Sequence, residues 1–226
     1  MNNELKKRVL TSVFLSGFLI LAFFYSFILI ILLIIIFLLS WIEFNVLIKR
    51  IINKNENLSK ILRLLVSAIT LIYLFYFSVI VFGAMQQLQP DYEFNLLYLI
   101  LICICSDIGG FIFGKIFKGK KLTKISPNKT ISGSIGSFIL PLILPPIFFY
   151  LFSAKFSIFQ LVILAISVSL ICQLGDLFIS FLKRKANVKD TGDLLPGHGG
   201  ILDRIDGILF AIPSGLILWK FLIVII

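Results

Sequence analysis

Residues 180–206, SFLKRKANVKDTGDLLPGHGGILDRID, hold four acids, five bases and the only histidine of a 226-residue chain. Asp203 and Asp206 are three positions apart, so on a helix they project from one face and can share a cation. Magnesium suits such a pair, because it takes a few carboxylates and completes its shell with waters and phosphate oxygens. The same spacing also fits a solvated first helical turn, where acids are favoured. Just before the pair, Pro196–Gly200 reads PGHGG. Glycines there, Gly199 and Gly200 among them, allow positive φ and bring N–H groups close to an anion, or simply turn the chain. His198 could act chemically, although a lone histidine more often serves as a hydrogen-bond partner. Lys183, Arg184, Lys185 and Lys189 could be ordinary orientation charges. Their interleaving with Asp190, Asp193, Asp203 and Asp206 argues otherwise: orientation needs only bases, whereas a metal-bound polyphosphate needs both signs.

Two further acids sit inside apolar runs, Asp107 in CSDIGGFIFGK and Asp176 in CQLGDLFIS. An aspartate within a membrane helix costs about 2.5–3.5 kcal/mol on insertion scales unless it faces a partner or a wet cavity. An ion pair between helices would account for one such residue. Two of them, each preceding a basic loop, point to a site. That first loop contains SPNKT, Ser126–Thr130. It is no Walker motif, but Pro127 and the hydroxyls suit a shaped turn able to bind phosphate.

The elements that must position these residues are membrane spans. Hydrophobic residues make up 59% of the chain and charged residues 14%, against roughly 25% charged in a soluble domain. Apolar runs near 9–24, 27–48, 61–83, 95–114, 133–153, 156–179 and 207–226 approach the roughly 20 residues a helix needs to cross a bilayer. The expectation is an all-α, polytopic helical bundle of about seven spans forming one domain, 1–226, with variable helices over 1–94 and the chemistry over 95–226. The first two spans would form a hairpin turning near Tyr25 and Ser26. A cytoplasmic amino terminus places 19 of the 21 Lys and Arg in inner loops, as the positive-inside rule requires. The net charge of +10 therefore reads as orientation, and no nucleic-acid partner is expected. Cys103, Cys105 and Cys172 have no zinc spacing and read as packing residues.

Ser180–Asp206 is similar to the signature of the phosphatidate cytidylyltransferases, or CDP-diacylglycerol synthases: S-x-aliphatic-K-R-x4-K-D-x-small-x2-aliphatic-P-x-H-G-G-x-x-D-R-x-D. Ser180, Lys183, Arg184, Lys189, Asp190, Gly192, Pro196, His198, Gly199, Gly200, Asp203, Arg204 and Asp206 all fall in register. Upstream, Asp107-Ile-Gly109 with Gly114-Lys115, the Ser126–Thr130 run and Gly175-Asp176 resemble other segments of that family. The likeness covers about residues 100–226. One departure is Ser132, where the family commonly has a glutamate.

The resemblance implies transfer of the cytidylyl group of CTP to phosphatidate, giving CDP-diacylglycerol and pyrophosphate. It implies magnesium at Asp107, Asp176, Asp203 and Asp206, with a second cation left open. Lys183, Arg184, Lys189 and Arg204 would hold phosphates, with Asp190 and His198 orienting groups beside them. Ser126, Pro127, Lys129, Thr130, Gly199 and Gly200 would bind substrate. A homodimer in a bacterial inner membrane, working on its cytoplasmic side, completes the expectation. Competing readings are a CTP-dependent polyprenol or lipid kinase, an ion-conducting transporter with Asp107 and Asp176 along its path, and an inactive homologue. CDP-alcohol phosphotransferases use D-G-x2-A-R…G-x3-D-x3-D, whose spacing is absent.

Overall fold

The structure, a computed structural model, describes residues 17–18, 20–52, 57–86, 90–123, 125–151, 157–193 and 199–225. Most of the first expected span, Lys6, Lys7 and Arg8, and Pro196 and His198 lie outside them. The described helices are α1 (Ser26–Ile51), α2 (Asn57–Gln86), α3 (Pro90–Phe117), α4 (Ile131–Ile139), α5 (Leu144–Leu151), α6 (Ile158–Lys185) and α7 (Leu202–Ile225). Among the described residues six stretches are long and apolar enough to cross a membrane. The chain is a polytopic membrane protein built from helices. Tyr25 departs from helical geometry (φ −125°, ψ 105°) just before α1, at the position where a turn is expected.

The expected span 133–153 is not one uniform helix. A 3-10 turn, Leu140–Ile143, joins α4 to α5. Pro141 and Pro145 cannot donate the N–H bonds that an α-helix needs there, so the backbone tightens between them.

The chain packs as two compact units, Met1–Gln87 with Leu182–Ile205, and Leu88–Phe181 with Asp206–Ile226. In the first, α1 and α2 lie against each other. The buried residues of α1 include Leu29, Leu33, Ser40, Glu43 and Leu47, which recur every three, four or seven positions and so share one face. On α2, Leu74, Phe77, Val81 and Ala84 do the same, while Ile61, Leu64, Ile69 and Ile72 are exposed as a lipid-facing surface requires.

In the second unit the aromatic core centres on Tyr98, whose hydroxyl donates to the Leu161 carbonyl at 2.8 Å. Its ring lies 4.6 Å from that of Phe148 and 5.9 Å from that of Trp219. Helices α3 and α4 approach through small residues. A Cβ on Gly109 would meet the Gly136 backbone, and one on Gly136 would meet Phe113 and, at 2.6 Å, the Gly109 carbonyl. Backbones come this close in a membrane where side chains are absent, because dispersion packing replaces the hydrophobic effect there. At the start of α6, Ser157 and Gln160 form a capping box: Gln160 Oε1 accepts from Ser157 N at 2.8 Å, and Ser157 Oγ accepts from Gln160 N at 3.3 Å.

Candidate active site

In the second unit a hairpin presents Lys129. Leu122 N donates to the Lys129 carbonyl at 2.8 Å and Ile131 N to that of Lys120 at 3.0 Å, around an antiparallel bridge between Lys121 and Thr130. Ser126–Lys129 is a turn closed by Lys129 N to Ser126 O at 3.1 Å, with Pro127 at the position where its fixed φ is favoured. Pro127 and Asn128 are exposed at its tip. Thr130 caps α4, its Oγ1 accepting from Gly133 N at 3.0 Å. Ser132, standing where the resembled family has glutamate, hydrogen-bonds the Lys118 carbonyl and lies 3.1 Å from the Thr130 hydroxyl. That ties the start of α4 to the end of α3.

The Lys129 ammonium forms an ion pair with Asp176 on α6, and the Ser180 hydroxyl donates to Asp176 Oδ1 at 3.3 Å. Asp107, on α3, is exposed and lies in electrostatic range of both Asp176 and Lys129. Asp107 and Asp206 are in turn both in range of Cys172. Asp206 is placed by the crossing of α6 and α7, where a Cβ on Gly175 would meet the Asp206 carbonyl at 2.8 Å. This unit therefore gathers Asp107, Lys129, Asp176 and Asp206. Buried Cys103 and Cys172 are free thiols beside each other, in keeping with a packing role. Ser134 Oγ donates to Gln173 Oε1 at 2.6 Å, joining α4 to α6 nearby.

The first unit organises the rest of the motif. Helix α6 runs past the expected end at 179, so Lys183, Arg184 and Lys185 form its last turn, where cations are favoured by the helix dipole. It stops at Asn187, whose φ of 55° is left-handed. Val188 N reaches the Lys183 carbonyl at 3.0 Å and Asn187 N that of Arg184 at 3.1 Å, the Schellman pattern that satisfies terminal carbonyls. This aims Lys183 at Asp203: Nζ donates to Oδ1 at 2.6 Å.

Asp203 Oδ2 takes the Thr191 N–H at 2.8 Å and the Gly200 N–H at 3.1 Å, and lies 3.0 Å from the Thr191 hydroxyl. Gly199 has φ of +82°, and a Cβ on it would come within 3.3 Å of Asp190. Lys183, Asp190, Gly199, Gly200 and Asp203 are thus neighbours. Lys189, Asp190, Arg184 and Arg204 are exposed, and the Arg184 Nη1 donates to the Val188 carbonyl at 3.4 Å.

A residue outside the motif completes this arrangement. Glu43, on α1, is only 3% exposed. Its Oε1 accepts from Ile201 N at 2.9 Å, and its Oε2 accepts from Leu202 N at 3.0 Å and from the Thr191 hydroxyl at 2.6 Å. Nothing in the local sequence marks it except that it is an acid within an apolar run.

As candidate ligands for a cation, Asp107, Asp176 and Asp206 supply the hard oxygens magnesium prefers. Among the described residues no three acidic, histidine or cysteine side chains are grouped tightly enough to hold a metal alone. Magnesium held by one or two carboxylates, with waters and substrate phosphates completing the shell, fits such a donor set.

The resemblance read from the motif is carried further by known proteins. The phosphatidate cytidylyltransferase of Staphylococcus haemolyticus (strain JCSC1435) is 44% identical over 119 residues, 52% of this chain and 46% of the relative. That of Bacillus subtilis (strain 168) is 40% identical over 125 residues, 54% of this chain and 46% of the relative. These matches span about half the length of the relatives. The profile of the cytidylyltransferase family itself matches residues 4–222. With the motif in register and nearly the whole chain matched, the protein belongs to the cytidylyltransferase family.

Proposed function

We propose that the protein transfers the cytidylyl group of CTP to phosphatidate, releasing pyrophosphate and forming CDP-diacylglycerol. An oxygen of the lipid phosphate attacks the α-phosphorus of CTP. The new phosphorus–oxygen bond forms as the bond from the α-phosphorus to the α,β-bridging oxygen breaks, and its electron pair leaves on that oxygen with pyrophosphate. The obstacle is electrostatic, since both reactants are anions, so catalysis rests on charge neutralisation and alignment and needs no covalent enzyme intermediate.

Lys129 is the group we assign to the nucleotide phosphates, because its partner Asp176 leaves it half-exposed. Lys183, Lys189, Arg184 and Arg204 are assigned to the phosphates of either substrate. Asp107, Asp176 and Asp206 are the acids we assign to magnesium, which when bound would neutralise the triphosphate and the departing pyrophosphate. Asp203 is committed to Lys183 and to backbone N–H groups. Its proposed work is therefore to hold the lysine and the glycine loop in place. The charge bias supports a cytoplasmic placement of these loops, where a soluble nucleotide would meet a lipid headgroup.

The observation that carries this reading is the gathering of Lys183, Thr191 and Gly200, from separate parts of the motif, around the Asp203 carboxylate. It is tested with the purified full chain in detergent, supplied with CTP, magnesium and phosphatidate. Pyrophosphate should appear, and omitting phosphatidate should abolish it. Release without phosphatidate, or formation of CDP in place of pyrophosphate, would refute the reading.

A further inference from the structure

Glu43 is an acid in one of the most buried positions of α1, yet lies outside every segment assigned to the reaction. An unpaired carboxylate there would be costly. It is satisfied by three donors, the Ile201 and Leu202 N–H groups and the Thr191 hydroxyl. The two N–H groups are at the amino end of α7, whose first donors have no partner within the helix and whose dipole favours an anion. Glu43 thus caps α7 from another helix.

The third bond extends this cap to the site. Thr191 Oγ1 is 2.6 Å from Glu43 Oε2 and 3.0 Å from Asp203 Oδ2, so a single hydroxyl stands between the two carboxylates. Gly200 makes this arrangement possible: a Cβ there would collide with the Thr191 hydroxyl and the Glu43 carboxylate. Displacement of Glu43 therefore moves Thr191 and the first turn of α7 together. Both carry Asp203, and with it the Lys183 ammonium.

We infer that Glu43 is a positioning residue for the transfer reaction, touching no reactant and setting the Asp203–Lys183 pair through Thr191 and the start of α7. This rests on the function proposed above. Glutamine cannot substitute for it. Each Glu43 oxygen accepts a backbone N–H, so either amide orientation sets an NH2 donor against another donor.

The test compares the wild type with Glu43→Gln, Thr191→Val, Thr191→Ser and the Glu43→Gln/Thr191→Val double variant, by pyrophosphate release in detergent. Misplacement at this range costs on the order of 100-fold. Glu43→Gln and Thr191→Val should lose about that in kcat, with KM for CTP changed less than about threefold. Thr191→Ser, which keeps the hydroxyl, should remain within about threefold of wild type. The double variant should be no worse than the poorer single, because both changes break one linkage.

Wild-type kcat in Glu43→Gln or in Thr191→Val would overturn the inference, as would losses that multiply in the double variant. So would losses that merely follow the unfolded fraction, read by thermal melting at the assay temperature. If Glu43→Gln does not fold, the Thr191→Val and Thr191→Ser pair decides. Failure of the wild type to release pyrophosphate at all would instead remove the proposed function, and this inference with it.

Discussion

Lys183–Asp203 in the first unit and Lys129–Asp176 in the second are both lysine–aspartate pairs, yet their surroundings differ. The side chains of the first are 13% and 6% exposed, those of the second 28% and 28%. Asp203 also accepts two backbone N–H groups, whereas Asp176 accepts a long bond from the Ser180 hydroxyl at 3.3 Å. A buried pair fixed by backbone donors leaves a stranded charge when one partner is removed. A half-exposed pair adds little to stability and can exchange its partner. The first pair is thus suited to hold a shape, and the second to open towards an incoming anion or cation.

The contrast has consequences that can be ranked by stability. Asp203→Asn should cost about 3–5 kcal/mol, since Lys183 loses its counter-charge and Thr191 and Gly200 lose a charged acceptor. Thermal melting in detergent would show it, and an unchanged melt would mean that the first pair is no more structural than the second. Gly136→Leu should cost about 1–3 kcal/mol by forcing α3 and α4 apart against Phe113. Here the same melt would serve, and a wild-type transition would show that the glycine seam tolerates separation. Asp176→Asn should cost less than about 1 kcal/mol, while pyrophosphate release falls at least on the order of 100-fold. Stability and activity falling together in that variant would erase the distinction between the pairs.

Asp203 and Asp206 look equivalent in the sequence, three residues apart with an arginine between them. The fold separates their duties, because the Asp203 carboxylate is reached by Thr191 and Gly200 from the preceding loop. The spans themselves were visible as apolar runs, since lipid imposes one requirement along the whole length of each. The apolar pattern stops short of the end of α6 because Lys183–Lys185 interrupt it, although a helix welcomes cations in its last turn. Pro127 and the hydroxyls beside it make the Ser126–Lys129 turn legible. The role of Glu43 is not legible in the sequence for a different reason. Its partners are 148, 158 and 159 residues away, and no local pattern encodes them. The signal available was energetic: an acid in a membrane helix needs a partner, the argument that singled out Asp107 and Asp176 and applies to Glu43 without change.

That long separation also shapes biosynthesis. Ribosomes add about 5–20 residues per second, so the nascent chain inserts α1 on the order of ten seconds before Ile201 and Leu202 exist. Until then Glu43 is an acid awaiting its partners in an apolar helix, and translation of the last stretch is what supplies its hydrogen-bond donors. A chain interrupted before Thr191 therefore keeps Glu43 in α1 without any of the three donors that satisfy it in the finished molecule.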